Sequence, residues 1–472
     1  MLLRKGGKEM RKYIGTFALL IAAVLCIGDY KKVSAVENNS VAITKVNFPD
    51  KRVREKISKS FDKNKDKILS EGELQEAKKL ELGAIYLSQE KTYNLQGISK
   101  LKGLTSLTVG AGTIKNISEV TKMPQLNYLE IYTSDIDGKM ELLDLKNNVN
   151  LVELWVESMS IKNLFQSTKL ESLTMKYCDM KNVELNNFPV LKKVSLFGCN
   201  YQVLAINNCP KLEKISGEAN KKMKKITLKN LPELKRLKIG STKKLKKLSL
   251  PELPNLESIY IEEVKELKKL SLPKLPNLES IYIEKAKKLR TLTLPRLPEL
   301  RKLKIEDNTL KKINLKKFPK LREFCIWGNK KIKKLDLRPL RKLNKLVWKR
   351  GKLKKIKFGE KKNLEYMYVS HNQLGGTWKL SKFPRLMEFE CSYNKIKNIY
   401  ARKHKCLREL ICEYNGLRKL DLYNINPYIV HFKGNPHVTA YLHDEFFTSK
   451  DAAKDWNYRF DRSAKVHYKR RY

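Results

Sequence analysis

A repeat of about 22 residues runs through this chain and restricts the folds that are open to it. Its clearest copies are LPNLESIYIEEVKELKKLSLPK at 253–274 and LPNLESIYIEKAKKLRTLTLPR at 275–296. A fixed period of this length means that one small unit is stacked many times and that each unit contacts only its neighbours. The sequence therefore predicts a solenoid, whose long surfaces rather than a single pocket would bind other molecules.

Each unit starts from a leucine that we call the anchor. Apolar residues follow it three and five positions later, as Ile259 and Ile261 follow Leu256, which predicts a strand with one buried face. Many units carry Asn or Cys eight positions after the anchor, where a short side chain can bond backbone groups that a turn leaves unpaired. The anchors are Leu104, Leu126, Leu151, Leu170, Leu191, Leu212, Leu234, Leu256, Leu278, Leu300, Leu321, Leu343, Leu364, Leu386 and Leu407.

A second apolar pattern of the same spacing begins about eleven residues after the anchor, as in Leu267, Leu270 and Leu272. The space between the two patterns is too short for a long helix, so we expect extended segments, in part irregular, on both sides of each coil. The pattern L-x-x-L-x-L is the consensus of a leucine-rich repeat. The nested form resembles the bacterial IRREKO repeats, especially at 407–424, and the first coils resemble internalin repeats. These resemblances imply a leucine-rich-repeat solenoid, mostly β, of about 15–16 coils.

The two ends of the chain predict further segments. Arg11 and Lys12 precede an apolar run over 13–28, and Val-Ser-Ala at 33–35 offers a cleavage site, so residues 1–35 are predicted to form a secretory signal peptide. An uncleaved membrane anchor is the alternative. We expect a helical EF-hand-like cap at 36–79, the solenoid with its C-terminal cap at 80–447 and a basic tail at 448–472. Because we find no sorting motif or second membrane span, we expect a secreted protein that is held on the cell wall non-covalently.

The segment 47–82 predicts two short helices around a calcium-binding loop. Oxygen ligands at the spacing of an EF-hand loop are Asp62, Asn64, Asp66, the Ile68 carbonyl, Ser70 and Glu73. The sixth position of such a loop is Gly because the turn is sharp, whereas this chain has Lys67, which adds backbone strain and positive charge. Weak calcium binding and a metal-free helical cap are therefore both open. An EF-hand-like segment ahead of leucine-rich repeats resembles secreted proteins of Gram-positive gut bacteria, an architecture that implies no particular ligand.

The chain is strongly basic, with a formal net charge of +49. Between Lys221 and Glu360 it has 44 Lys and Arg but 14 Asp and Glu. Cations recur one and two places after the start of the second apolar pattern, so stacked coils would align them ~5 Å apart, where like charges repel and bound anions stabilise. A solvated face that prevents aggregation is the alternative. We call the following candidate polyanion-binding residues the lysine stripe: Lys246, Lys247, Lys268, Lys269, Arg290, Lys311, Lys312, Lys333, Lys334, Lys354 and Lys355.

The first side of the coils predicts a different surface, on which outward Glu residues stand beside aromatic rings. Such a mixture suits a protein partner or sugar rings. Outward Tyr is also common in strands because of its β propensity alone. The candidate partner-binding residues are Trp155, Tyr260, Tyr282, Tyr366 and Tyr368.

The cysteines and the absence of catalytic motifs argue for a binding protein. Seven cysteines lie beyond the predicted signal peptide, and an odd number argues against a full disulfide framework. Cys178, Cys199, Cys391 and Cys412 fall on inward or turn positions and are predicted to be small buried residues. We find no nucleophile elbow, no HExxH and no phosphate-binding loop, so we do not expect an enzyme.

These patterns predict an exported, non-enzymatic protein that binds polyanions, either an anionic cell-wall polymer such as teichoic acid or an anionic glycan. The alternative is an internalin-like adhesin that binds a host or bacterial surface protein through its Glu and Tyr face. The charge also permits nucleic-acid binding, which we expect to be incidental in an exported protein. Calcium is the single cofactor that the sequence implies.

Overall fold

The computed structural model describes residues 39–83, 92–134, 140–164, 167–402, 404–425, 427–443, 458–461 and 463–469. The predicted signal peptide at 1–35 lies outside these residues. In the part of the chain that is described, no helix is long and apolar enough to cross a membrane.

Two short helices precede the first coil, α1 (Lys51–Phe61) and α2 (Glu71–Glu76). The Asp50 carboxylate starts α1 by accepting the N–H groups of two first-turn residues, and a capping box between Ser70 and Glu73 starts α2. Two short strands pair antiparallel beside the loop between the helices, β1 (Val41–Ala42) and β2 (Ile68–Leu69).

This helical segment covers one end of the solenoid core. Val53, Ile57 and Phe61 form the predicted apolar stripe of α1, and all three are buried. Gly103 of the first coil lies against the backbone of Leu74, so that a Cβ atom at this position would overlap the Leu74 carbonyl oxygen. The close approach of the two backbones therefore requires glycine here.

One side of every coil contributes a strand to a single parallel sheet, which we call the front sheet. Its described strands are β3 (Lys79–Leu82), β5 (Ser106–Ala111), β7 (Tyr128–Thr133), β9 (Glu153–Glu157), β11 (Ser172–Lys176), β13 (Lys193–Phe197), β15 (Lys214–Glu218), β17 (Arg236–Gly240), β18 (Ser258–Glu262), β20 (Ser280–Glu284), β22 (Lys302–Glu306), β23 (Glu323–Trp327), β25 (Lys345–Lys349), β27 (Tyr366–Tyr368), β29 (Glu388–Glu390), β31 (Glu409–Ile411), β33 (Ile429–His431) and β35 (Tyr458–Arg459). Neighbouring strands pair in register, so that Ile259 lies beside Ile281 and Tyr260 beside Tyr282. Among the described strands, β3 and β35 each pair on one side, so the sheet is open.

The opposite side of the coils, which we call the back face, carries separate patches of parallel strands. Its described strands are β4 (Thr92–Asn94), β6 (Thr113–Lys115), β8 (Leu142–Asp144), β10 (Ser160–Lys162), β12 (Asn182–Asn186), β14 (Val203–Asn207), β16 (Lys225–Lys229), β19 (Lys269–Ser271), β21 (Thr291–Thr293), β24 (Lys334–Asp336), β26 (Lys355–Lys357), β28 (Gly375–Lys379), β30 (Lys395–Tyr400), β32 (Lys419–Asp421), β34 (Thr439–His443) and β36 (Lys465–Lys469). Pro251, Pro273 and Pro295 follow three consecutive back segments and remove a backbone donor from each, which limits strand pairing. Parallel segments on both sides of the coil confirm the predicted leucine-rich-repeat solenoid.

An asparagine ladder holds the turn that leaves the front sheet. Asn394 Nδ2 donates to the Val369 and Cys391 carbonyls, both at 2.9 Å, and its Oδ1 accepts the Leu374 N–H at 3.0 Å. Equivalent bonds to backbone groups are formed by Asn372, Asn415 and Asn435. These bonds confirm the role predicted for the eighth position. The four cysteines predicted to be buried are buried and free.

One coil makes room for an oversized core residue. Gly217 faces inward, where the paired residues of the neighbouring strands are Leu196 and Ile239. Tyr201 fills the space beside Gly217 and is fully buried. A Cβ atom at residue 217 would lie 3.2 Å from the Tyr201 hydroxyl oxygen. The small and the large residue together keep the core volume constant.

Both sides of the solenoid continue beyond residue 447. Strands β35 and β36, which pair with β33 and β34, lie within the segment 448–472 that is predicted to be a basic tail. The Phe460 ring stacks on Phe432 with centroids 5.2 Å apart, and Val466 packs against the core. These residues therefore form a further coil. The sequence signal for it is the alternation of polar and apolar residues from Lys465 onward, whereas the net charge of the segment gives no sign of it.

Candidate functional site

The lysine stripe lies on the back face, on six successive coils, and all of its residues are exposed. Lys334 pairs with Lys355 across β24 and β26, and the Arg290 N–H bonds the Lys268 carbonyl at 2.9 Å. Backbones joined in this way are ~4.8 Å apart. The structure thus places the predicted cations on one side of the solenoid, with backbone pairing between coils in two patches, one at each end of the row.

None of the stripe residues forms an ion pair with a carboxylate of the described chain. Two carboxylates of the back face are held by other cations, whereas the exposed Glu252 forms no ion pair within the described chain. Glu266 binds Lys288 at 2.7 Å, and this hydrogen bond lowers the pKa of the Glu266 carboxyl. Asp336 is bound by the Arg338 guanidinium, with Nη2 at 2.7 Å, which lowers the pKa of the Asp336 carboxyl to about 2. The row therefore forms no direct ion pair with these carboxylates, although Lys246 and Lys268 attract Glu266 through space.

Many cations of the front sheet, by contrast, are paired across coils. Lys238 binds Glu218 at 2.6 Å, and Lys304 binds Glu284 at 3.0 Å and Glu306 at 3.1 Å. Although burial opposes it, hydrogen bonds to these two glutamates raise the pKa of Lys304. Further pairs of the same kind join Lys302 to Glu323 and Arg301 to Glu279. The two sides of the solenoid therefore differ in available charge, although both are rich in lysine.

The candidate aromatic residues lie on the front sheet but do not form one site. Tyr260 stacks on Tyr282 with centroids 5.5 Å apart, and Lys238 lies 5.0 Å from the Tyr260 centroid. Tyr366 and Tyr368 lie four strand steps away, on β27, and the Tyr368 hydroxyl bonds Glu388. Trp155 lies five strand steps from Tyr260 in the other direction, beside Tyr132 and Lys176. Neighbouring side chains already cover much of the ring faces.

The loop over 62–73 has the left-handed turn that an EF-hand requires. Lys67 has a φ of 64°, and its N–H bonds Asp62 Oδ2 at 3.2 Å, so that lysine adopts the conformation that glycine usually provides. Asp62 Oδ1 is buried and without a partner in the described chain. Glu73 accepts the N–H groups of Lys63 at 2.8 Å and Ser70 at 2.9 Å. Among the described residues no three His, Cys, Asp or Glu side chains converge to hold a metal. The free Asp62 oxygen suits a calcium ion. The Glu73 carboxylate does not, because it already accepts two backbone N–H groups.

An aromatic ladder lies in the turns that follow strands β27, β29 and β31 of the front sheet, and it was not predicted from the sequence. His371 stacks on Tyr393 with centroids 4.3 Å apart, and Tyr393 stacks on Tyr414 at 4.7 Å. All three stand seven positions after an anchor and have positive φ values of 50–56°. The spacing of one coil between aromatic residues is the signal that could have revealed the ladder. Because the rings cover one another's faces, the stacking stabilises the turns of these coils, while Tyr393 and Tyr414 stay 45% and 43% exposed.

Solved structures with a similar repeat architecture come from several bacteria. The functional domain of InlJ from Listeria monocytogenes is 18% identical over 76% of this chain and 77% of that chain, with a TM-score of 0.47. A leucine-rich-repeat protein of Leptospira interrogans is 21% identical over 70% and 87%, with a TM-score of 0.45. YopM from Yersinia enterocolitica is 18% identical over 88% and 94%, with a TM-score of 0.45. No protein-family model matches the sequence, and no curated protein matches it. The similarity concerns the repeat fold and carries no argument about a ligand.

Proposed function

We propose that this chain is an exported, non-enzymatic binding protein whose lysine stripe binds a linear polyanion along the axis of the solenoid. The observation that supports this most is the difference between the two sides of the coil. Front-sheet cations such as Lys238 and Lys304 are held by carboxylates, whereas none of the stripe residues is paired with one in the described chain.

The spacing of the stripe explains why a polymer suits it better than a small anion. Stacked cations ~4.8 Å apart repel one another, and the repulsion reaches the next one or two coils because the Debye length is ~8 Å at physiological salt. One polymer that follows the row relieves all of these repulsions at once and releases its own counterions. The partners that fit are an anionic cell-wall polymer such as teichoic acid, or an anionic glycan. Either would hold the protein on a cell surface without a covalent link.

Salt elution from immobilised heparin and from cell-wall preparations tests this proposal. A stripe variant replaces Lys247, Lys269, Lys312, Lys334 and Lys355 with Gln. A control variant of equal net charge replaces five paired lysines, Lys192, Lys238, Lys302, Lys304 and Lys320, with Gln. We expect the stripe variant to elute at clearly lower salt than the wild type, and the control variant to elute near the wild type. Elution of both variants at the same salt would show that net charge alone, not the stripe, causes retention.

Protein binding through the front sheet is a second candidate function. A shallow cleft of about 380 Å³ lies beside the stacked tyrosines and is lined by Arg236, Glu257, Tyr282 and Arg301. Mixed charges around an aromatic ring suit a protein partner. Replacement of Tyr260 and Tyr282 with Ala should then abolish capture of a surface protein and leave heparin retention unchanged. Loss of heparin retention in this variant would contradict the separation of the two faces.

A further inference from the structure

A column of hydroxyl groups runs beside the N-terminal half of the lysine stripe. Ser249 bridges to Ser271 in the next coil, and Ser271 pairs with Thr293 in the coil after that. Thr291 takes the place of a lysine in the stripe itself, paired with Lys269. All four hydroxyl-bearing residues are exposed. Their side chains form no hydrogen bond within the described chain, so their donors are available to a ligand.

The backbone register sets the distance between the hydroxyls and the cations. Lys269 and Ser271 stand two residues apart on one strand, so their side chains leave the same face ~6.6 Å apart. Adjacent coils repeat the pair at ~4.8 Å. The lysine side chain is long and flexible enough to lean toward the hydroxyl. Each of the first two coils therefore presents two ammonium groups and one hydroxyl, and the third presents one guanidinium and two hydroxyls, which can converge on one anionic group.

We propose, on the basis of the function proposed above, that this part of the stripe recognises a linear glycan carrying monoesters of sulfate or phosphate. A monoester presents three terminal acceptor oxygens, whereas a carboxylate presents two. The three coils offer three exposed donor side chains each, and these are Lys246, Lys247 and Ser249; Lys268, Lys269 and Ser271; and Arg290, Thr291 and Thr293. Ser and Thr hydroxyls join Lys and Arg in binding the phosphate oxygens of nucleic acids.

The C-terminal half of the stripe has a different neighbouring column. The positions that correspond to the hydroxyls are Asn314, Asp336 and Lys357, and Asp336 pairs with Lys357 across the two strands. The carboxylate of Asp336 repels an anion, although Arg338 neutralises part of its charge. The ester-specific region is therefore confined to the three coils between Leu245 and Arg296, and the later coils add electrostatic attraction alone.

The same three coils do not suit nucleic-acid bases. No Phe, Tyr, Trp or His stands on their back segments at 245–252, 267–274 and 289–296. Binding of single strands depends on aromatic rings on which bases stack. A polymer that presents its charges on a sugar chain needs no such platform, so the surface favours a glycan over a nucleic acid.

A hydroxyl-free variant tests the proposal without changing any charge. It combines Ser249→Ala, Ser271→Ala, Thr291→Val and Thr293→Val, which are exposed positions with extended neighbours that tolerate these side chains. Binding is measured by fluorescence anisotropy with four labelled polymers of matched charge: heparin, phosphorylated dextran, poly(glycerol phosphate) and polygalacturonate. The matched control carries Ser258→Ala and Ser280→Ala on the front sheet of the same coils.

We expect the wild type to bind heparin and phosphorylated dextran at least about tenfold more tightly than the other two polymers, since four hydroxyls that each contribute about a factor of two give about a factor of sixteen together. The hydroxyl-free variant should lose this preference, keep its affinity for polygalacturonate and keep the salt dependence of binding. A phosphodiester preference, or equal loss for all four polymers, would overturn the ester specificity. A wild type that binds none of the polymers at low salt would instead refute the proposed function.

Discussion

A buried lysine offers a quantitative test of the core. Lys361 stands three residues before its anchor, where other coils have Phe318, Leu340 or Phe383, and it is 0% exposed. Its Nζ donates to the Glu360 carbonyl at 3.0 Å, and no carboxylate of the described chain forms an ion pair with it. Burial lowers the pKa of Lys361 to about 8. The solenoid therefore carries one ammonium group at a position that its repeat assigns to an apolar side chain.

The pKa shift fixes the size and the pH dependence of the expected effect. A decrease from 10.5 to about 8 corresponds to a loss of about 3 kcal/mol of folding stability. The unfolded chain binds this proton more tightly than the folded chain. The destabilisation by Lys361 therefore has its full size below pH 8 and becomes smaller as the pH rises toward 10.5. We therefore expect Lys361→Leu to raise the free energy of unfolding by about 3 kcal/mol at pH 7, with a clearly smaller gain near pH 10.

Urea unfolding followed by circular dichroism at both pH values measures this difference. Lys361→Met serves as a second variant, because it is unbranched and close to lysine in shape. Lys362→Leu is the matched control, since Lys362 is exposed and pairs with Glu360 at 2.9 Å. Its effect should stay within about 0.5 kcal/mol. If the Lys361 variants show no increase in the free energy of unfolding at pH 7, or the same increase at both pH values, Lys361 is not a buried charged group.

Three further perturbations test the turns, the core and the cap. Asn394→Ala should lower the free energy of unfolding by about 2–4 kcal/mol, because it leaves buried backbone groups of two coils unpaired; a loss below 1 kcal/mol in urea unfolding would contradict the ladder. Gly217→Leu should destabilise by about 1–3 kcal/mol although neighbouring coils have Leu or Ile at this place, and Tyr201→Leu in the same chain should restore stability; failure of this rescue would show that the two residues do not share one space. Calcium binding remains a proposal for the loop at 62–73, and millimolar calcium should raise the unfolding temperature of the wild type but not of Asp62→Asn, which replaces the residue with the free buried oxygen; an equal response of both would place the ion elsewhere.

The coil register was predictable because the apolar spacing encodes it directly. Leu256, Ile259 and Ile261 repeat one coil later as Leu278, Ile281 and Ile283, and a parallel solenoid has one way to align such copies. The irregular back face was predicted in outline. The prolines that follow its segments explain why Ser249 contributes an isolated bridge rather than a strand.

Which lysines are free depends on contacts between coils, and sequence order alone does not show them. Lys304 is 20 residues from Glu284, yet the register brings the two together. Two of the ion pairs between coils share one geometry, in which a lysine four places after an anchor binds a Glu six places after the previous anchor, as Lys238 binds Glu218 and Lys304 binds Glu284. The burial of Lys361 is hidden in the sequence for a related reason, since one lysine among many in a basic stretch has the pattern of an exposed residue.

The salt dependence of heparin binding tests the central claim most directly. Variants with one, three and five stripe lysines changed to Gln are compared with variants that lose the same number of front-sheet lysines paired to glutamate. If the stripe lysines are unpaired, the slope of log K against log salt should become shallower by ~0.7 for each stripe lysine that is replaced. Replacement of the paired lysines should hardly change the slope. Equal slopes in the two series would contradict the claim that the back face holds the available charge.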